Sequence, residues 1–414
     1  MTGSKRNQLI LVGVMFATWG VVFLDRMTQL YLAPYIVSDL HLSGTQIGLI
    51  TSITAMTWAI SSLVFGALSD RVGRKRVLLP MVLMFAAISC LSGAARGFWD
   101  LMILRGLMGI AEGPCWSVIV ALVEQASDPR HRGRNVGFVV SAGAIVGQFV
   151  GPVLATQVAT HFGWRAAFIA AGLPGFIAAL LIWRFVREPK KTVAAQEAAA
   201  ATTAWGDVRV LLRSRNVWLC CLGSASFIAW LMLQNLFAPL YIVKVVHQPA
   251  TTAGFLLSAA GIGTIFVGYV SVLLMDRFGR RPLLAALALL SLVSPLALLI
   301  LPLYQHLSVL TVILFCTQGG LGIGPLAMVL LPAESVPPRL AGAAIGLVNL
   351  CGELVGGALL PTIAGHLSET VGTHAPLVMA VGAMATLFVV TLLLSDTRSE
   401  VRAAPPEPTS NFAT

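Results

Sequence analysis

The chain has 414 residues, 57% hydrophobic and only 11% charged, with a mean hydropathy of +0.86 and a formal net charge of +10. A soluble globular domain carries about 25% charged residues, so the composition excludes a soluble enzyme and its long apolar runs read as membrane spans. Each span must satisfy its own backbone polar groups, which selects helices, and the alternation of a transmembrane barrel strand is absent.

In chain order the apolar runs predict twelve spans, at roughly 9–35, 45–68, 77–95, 99–124, 135–158, 164–186, 217–243, 251–275, 282–303, 307–332, 340–366 and 373–395. The first run continues past Asp25-Arg26 without a small-residue cleavage site, so it is expected to remain a span and not a removed signal peptide. The spans divide the chain into an N-terminal six-helix bundle (1–186), a polar, Ala-rich cytoplasmic linker (187–215), a C-terminal six-helix bundle (216–396) and a Pro-rich tail (397–414) whose composition predicts disorder. Of the 27 lysines and arginines, all but Arg96, Arg165, Lys244 and the in-span Arg26 and Arg105 fall on one side of this arrangement. The positive-inside rule then puts both termini in the cytoplasm. The six cysteines fall within spans, at spacings that suit neither a disulfide framework nor a zinc site.

Two loops echo each other. Gly66-Ala-Leu-Ser-Asp70-Arg71-Val-Gly73-Arg74-Lys75-Arg76 follows span 2, and Asp276-Arg277-Phe-Gly279-Arg280-Arg281 follows span 8, half a chain later. Such internal repeats build secondary transporters, with the substrate site near the midplane between the halves. The glycines permit tight turns, and the acids can pair with an arginine or a helix end in one access state. Both loops are therefore expected to act as a cytoplasmic gate. The first loop resembles the signature that follows helix 2 in the major facilitator superfamily. Arg105-Gly-Leu-Met-Gly109 in span 4, Gly163-Trp164-Arg165 opening span 6 and Arg187-Glu188-Pro189 after it are similar to further habits of that group. The resemblance covers nearly the whole chain. It implies an all-α membrane fold, two six-helix bundles rocking about a central cavity.

Ionisable residues inside spans are costly and mark function by default. Five stand out: Asp25, Arg26, Arg105, Glu112 and Glu353. Asp25 shares a helical face with Thr28 and Gln29. Arg105 and Glu112 lie two turns apart in span 4, about 10 Å along the axis. Asn349 and Glu353 share a face of span 11. Trp58 in span 2 can stack on a substrate's apolar face, and Trp230, Gln234, Asn235 and Tyr241 in span 7 have spacings that can line a cavity.

Leu24-Asp25-Arg26 and Arg105-Gly-Leu-Met-Gly-Ile-Ala-Glu112-Gly113-Pro114 narrow the resemblance to the anion:cation symporters, which include proton-coupled sugar-acid transporters; Gly147-Gln148-Phe149-Val150-Gly151 is similar to the sugar-acid branch. By that resemblance Asp25 and Glu112 take protons, Arg26 holds the substrate carboxylate, Arg105 tunes Glu112, and Gln148 hydrogen-bonds the substrate. Two positions depart from the pattern: Phe23 stands for a usual Tyr, and Glu353 stands where sugar-acid relatives tend to have Asn. Glu353 is then a third proton site, a binder of a substrate amine, or a partner for Arg26. Gln29, Asn349, Gln234 and Asn235 complete the expected contacts. The reading is a bacterial inner-membrane carrier, not an enzyme, that imports a small organic carboxylate by proton symport. Its partners are the anion, protons and membrane lipid. It is expected to work as a monomer without cofactor, metal or nucleic acid. The rival is a proton-driven efflux antiporter for drugs or metabolites.

Overall fold

The computed structural model describes residues 2–128, 130–188, 211–300, 306–337 and 340–394, with side chains from Arg6 onward except that of Asp276. Most of the expected linker and all of the expected tail lie outside these residues.

Among the described residues, twelve helices are long and apolar enough to cross a membrane. They are α1 (Arg6–Tyr31), α2 (Gly44–Val72), α3 (Arg74–Ser92), α4 (Phe98–Ala126), α5 (Arg132–Phe162), α6 (Trp164–Phe185), α7 (Arg215–Lys244), α8 (Ala250–Met275), α9 (Arg280–Leu299), α10 (Leu307–Glu334), α11 (Ala341–Thr370) and α12 (Ala375–Leu393). A short helix, Ala33–Asp39, follows α1. All twelve expected spans are present, and the main difference is at their ends. α2 runs on through Ser69, Asp70 and Arg71 to Gly73, whose φ of 125° only glycine adopts without strain. Hydropathy marks the apolar slab, whereas the backbone continues its hydrogen bonds into water until a residue breaks them.

Glycines set the close packing that lipid-embedded helices need in place of a hydrophobic drive. Gly109 and Gly113 of α4 press on Thr54, Thr57, Trp58 and Ser61 of α2, and Gly172 and Gly175 of α6 press on Phe85, Ala86 and Ser89 of α3. α7 and α9 pack on α12, and α8 packs on α10. The two halves meet along two seams, α2 against α11 and α5 against α8.

Both seams are tight at the end away from the Arg-rich loops. There Gly48 abuts the Pro361 carbonyl, Gly254 abuts Thr156 and Pro152, and Ser52 Oγ and Thr362 Oγ1 are 2.7 Å apart. Toward the Arg-rich end the helices diverge, and a Cβ on Gly133 or Gly137 of α5, or on Gly342 or Gly346 of α11, would meet nothing. The molecule is thus closed at one end and parted at the basic end.

Three helices carry π-helical stretches: Gly143–Val150 in α5, Leu326–Leu330 in α10 and Gly352–Leu359 in α11. A proline follows each of the three by two residues, Pro152, Pro332 and Pro361, and each removes a backbone donor. The Gly147 carbonyl, near Pro152, accepts instead from the Tyr31 hydroxyl at 3.2 Å. Such bulges cluster at functional sites, and two of these hold Gln148 and Glu353.

Candidate functional site

α1 brings Asp25 and Arg26 to the middle of the molecule on neighbouring faces, and the two side chains part company. Asp25, fully buried, turns into the N-terminal bundle. There Arg105 Nη1 stands 3.6 Å from its Oδ2, and Ser89 on α3 donates to its Oδ1. Arg105, 1% exposed, also donates to Ser92 and lies 4.7 Å from the Phe168 ring. Its ion-pair partner is therefore Asp25 and not Glu112, two turns along its own helix. Glu112 lies within hydrogen-bond reach of the Asp25 carboxyl, and no N–H or hydroxyl of another residue donates to either of its buried oxygens.

Arg26 turns the other way, toward the C-terminal half. Its Nη2 donates to both carboxylate oxygens of Glu353, at 2.8 and 3.1 Å, across the α1–α11 junction. Of the three alternatives left open for Glu353, the geometry contains the ion pair. The guanidinium carbon lies over the Trp58 ring, 4.1 Å from its centroid, in a cation–π contact. Trp19 packs on Trp58 and Trp116 behind it.

A small cavity of mixed lining, with Leu231, Leu257 and Ala260 on its apolar side, adjoins α5, α7, α8 and α10. Gln148, Trp230, Gln234, Asn235, Thr264 and Gln318 line it. Gln234 and Gln318 both donate to Ser294 on α9, while Gln148 Oε1, Gln234 Oε1 and Trp230 Nε1 are buried with no partner. The cavity thus offers two unmet acceptors and one unmet donor. The remaining expected contacts are engaged within the protein. Gln29 donates to Thr51 Oγ1 at 3.3 Å, Asn235 to its own helix at Leu231, and Asn349 to Ile345 and Met328 carbonyls.

At the basic end Arg74 pairs with Asp70 at 3.3 Å, one turn away. Arg71 is exposed, Gly66 abuts Ser117, and Arg277 stacks beside Phe278. Gly279 has φ 83°, matching Gly73, and Arg280 pairs with Glu334 at the foot of α10. The Asp276 side chain lies outside the described set. Hydropathy and motif spacing gave Glu188 no role, yet its carboxylate accepts from the Arg74 and Lys75 amides at 2.6 and 3.1 Å, capping α3. At the opposite end Glu369 of α11 accepts from the Thr45 amide at 2.6 Å, across the α2 seam. Near it Arg165 and Trp164 donate to Asp39, and these bonds hold the Asp39 carboxyl below its ordinary range. Ser89, Ser92, Ser294 and Glu369 were not legible from the chain because each partner lies on another helix and serines are common in helices, and Glu188 stood out only as part of Arg187-Glu188-Pro189.

The sequence profile of the Major Facilitator Superfamily matches residues 14–361. The "Probable 4-methylmuconolactone transporter" of Cupriavidus pinatubonensis is 27% identical over 365 residues, 86% of this chain and 83% of that protein. The "Hexuronate transporter" of Bacillus subtilis is 32% identical over 204 residues, 49% of this chain and 48% of its own. The "Multidrug resistance protein MdtG" of Yersinia enterocolitica is 26% identical over 323 residues, 74% of this chain and 76% of its own. Among solved structures, a bacterial homolog of the human lysosomal transporter Spinster, in an inward-facing and unoccupied conformation, superposes with a TM-score of 0.73 at 19% identity. That match covers 97% of this chain and 99% of the other.

Proposed function

The chain belongs to the Major Facilitator Superfamily, and from that premise we propose that it imports a small hydroxylated organic carboxylate together with protons. The observation that carries the reading is Arg26, a largely buried cation at the junction of the two bundles, stacked on Trp58 and already bound to a carboxylate. A guanidinium so held recognises a substrate carboxylate by charge and by donor geometry. The unpartnered polar atoms at the small cavity support hydroxyl groups on that substrate, because a hydroxyl both donates to the unmet glutamine oxygens and accepts from the Trp230 indole. The hexuronate and methylmuconolactone relatives agree in the coarser class of organic acids.

Proton coupling follows from energetics. An anion entering against an inside-negative potential costs about 2.3 kcal/mol per charge per 100 mV. One proton makes a monoanion electroneutral, and a second lets the potential drive uptake. Asp25 and Glu112 are the proton carriers in this reading: no N–H or hydroxyl donates to either Glu112 oxygen, and one proton shared with Asp25 gives the two carboxyls a hydrogen bond. Arg105 keeps Asp25 oriented for that exchange. The basic end is the cytoplasmic face, by the arginine asymmetry, so the parted seams give an inward-open carrier. Asp70, Arg74 and Glu188 close that end in the alternate state.

Efflux by proton antiport is the second reading, favoured by the likeness to a multidrug resistance protein. Direction separates the two. Purified protein in liposomes is offered D-glucuronate, L-galactonate and a lactone under an imposed pH gradient. Accumulation toward the alkaline side, with protons following the anion, supports symport. Movement of solute against the proton flux, or no response to carboxylates at any gradient, overturns it.

A further inference from the structure

Glu353 takes no part in the proton relay just described, yet it holds the site's principal cation. The pair it forms with Arg26 is the one place where the two bundles are joined by opposite charges in the middle of the molecule, among the described residues. Both side chains are largely withdrawn from solvent, at 8% and 12% exposure. We propose that Glu353 is a built-in counter-anion which the transported carboxylate replaces on Arg26, and that Glu353 takes up a proton as it is released. The proposal rests on the carboxylate-transport reading above and assigns a further coupling residue to that site.

The argument is one of charge balance in a closing cavity. An unpaired ion buried in a low-dielectric interior is strongly disfavoured, whether it is the guanidinium or the carboxylate. Two combinations leave neither unpaired. In the empty carrier Arg26 holds ionised Glu353. In the loaded carrier Arg26 holds the substrate anion and Glu353 is a neutral acid, the proton having come from solution. Anion without proton leaves Glu353 as a buried lone carboxylate, and proton without anion leaves Arg26 alone. Neither of those can pass through an occluded state, so slippage in both senses is suppressed. Each exchange is balanced: one carboxylate and one proton enter, and the net charge at the pair is unchanged.

The surroundings of Glu353 fit this role. Its carboxylate lies against Gly357 of its own helix and near Ala55 of α2, with Trp58 beyond under Arg26. α7 presents Ala225 and Ile228 to this stretch of α11, and its Cys221 thiol meets Cys351; α10 presents the Met328 carbonyl to Asn349. The charged groups that reach the pair are Arg26 itself and, behind it, Asp25, Arg105 and Glu112. The π-helical turn at Gly352–Leu359 supplies the freedom for the side chain to swing, because its hydrogen bonds are already shifted in register.

Glu353→Gln tests this, with Glu353→Asn as a second variant should the first fold poorly. D-Glucuronate and L-galactonate are titrated onto detergent-purified protein from acid to alkaline pH, and proton uptake is read with an indicator dye in weak buffer. Each protein is then tested in liposomes for gradient-driven accumulation and for counterflow. In wild type, affinity should fall toward tenfold per pH unit for each proton coupled. Both variants should bind with one proton fewer per anion and a correspondingly flatter pH dependence. They should keep counterflow, since the loaded form is intact, and lose net accumulation, since the empty form leaves Arg26 unpaired. Variants that match wild type in proton count and accumulation overturn the proposal while leaving the transport reading intact. Folded variants that bind no carboxylate also overturn it, because Glu353 then contacts the substrate directly. Wild type that neither binds nor accumulates any carboxylate removes the transport reading and this inference with it.

Discussion

Truncating Arg26 removes the cation of the junction and the lid over Trp58 in one step. Arg26→Ala should abolish carboxylate binding while the purified protein still folds, as read by thermal unfolding and by titration with D-glucuronate. A dissociation constant within twofold of wild type, less than about 0.4 kcal/mol, contradicts the assignment. Arg26→Lys should recover only part of the affinity, because an ammonium keeps the charge but loses the guanidinium contact over the ring. The N-terminal carboxyls separate by the partners they hold. Glu112→Gln should keep counterflow and lose proton-driven accumulation, since a neutral amide stands in for the protonated acid. Asp25→Asn strips Arg105 of its counterion inside the bundle, and breaking a buried pair in this way costs about 3–5 kcal/mol. It should therefore lower the unfolding temperature where Glu112→Gln does not. Equal melting temperatures for the two argue against the Asp25–Arg105 pair as a buried ion pair, and accumulation retained in both places the proton sites elsewhere.

Helix seams decide which end of the molecule is open. Gly48 sits against the Pro361 carbonyl with no room for a Cβ, and that carbonyl belongs to backbone, so it cannot yield as a side chain would. Gly48→Ala should wedge α2 from α11 at the closed end. A cysteine placed at Ser52, across from Thr362, should then react faster with a membrane-impermeant maleimide added on that side. Unchanged reactivity contradicts the seam as the closure. At the basic end Asp70, in the last turn of α2, pairs with Arg74, the first residue of α3, and Glu188 caps α3 between them and the end of α6. An exposed pair contributes about 0–1 kcal/mol to stability, so its value lies in the closed state at that end. Asp70→Asn should lower turnover several-fold with substrate affinity little changed. Equal losses of binding and transport argue against a gate.

Across the whole molecule, the sequence by itself determined what a membrane imposes on a chain. Lipid forces backbone bonds to close within each span, so twelve apolar runs gave twelve helices among the described residues, and the paired loop motifs gave the two-bundle plan of the fold. The expense of charge in a span likewise singled out Asp25, Arg26, Arg105, Glu112 and Glu353 one by one. What each of them touches was decided only in three dimensions. Asp25 and Arg26 are adjacent in sequence, yet the 100° between successive helical residues sends one into its own bundle and the other across to α11. Arg105 meets Asp25 on α1 because the α1–α4 approach is nearer than two turns along its own helix. Glu353 meets Arg26 from 327 residues away, and no local spacing encodes that distance. Periodicity and hydropathy report on a helix and its solvent; an ion pair between bundles is set by how the helices pack against one another.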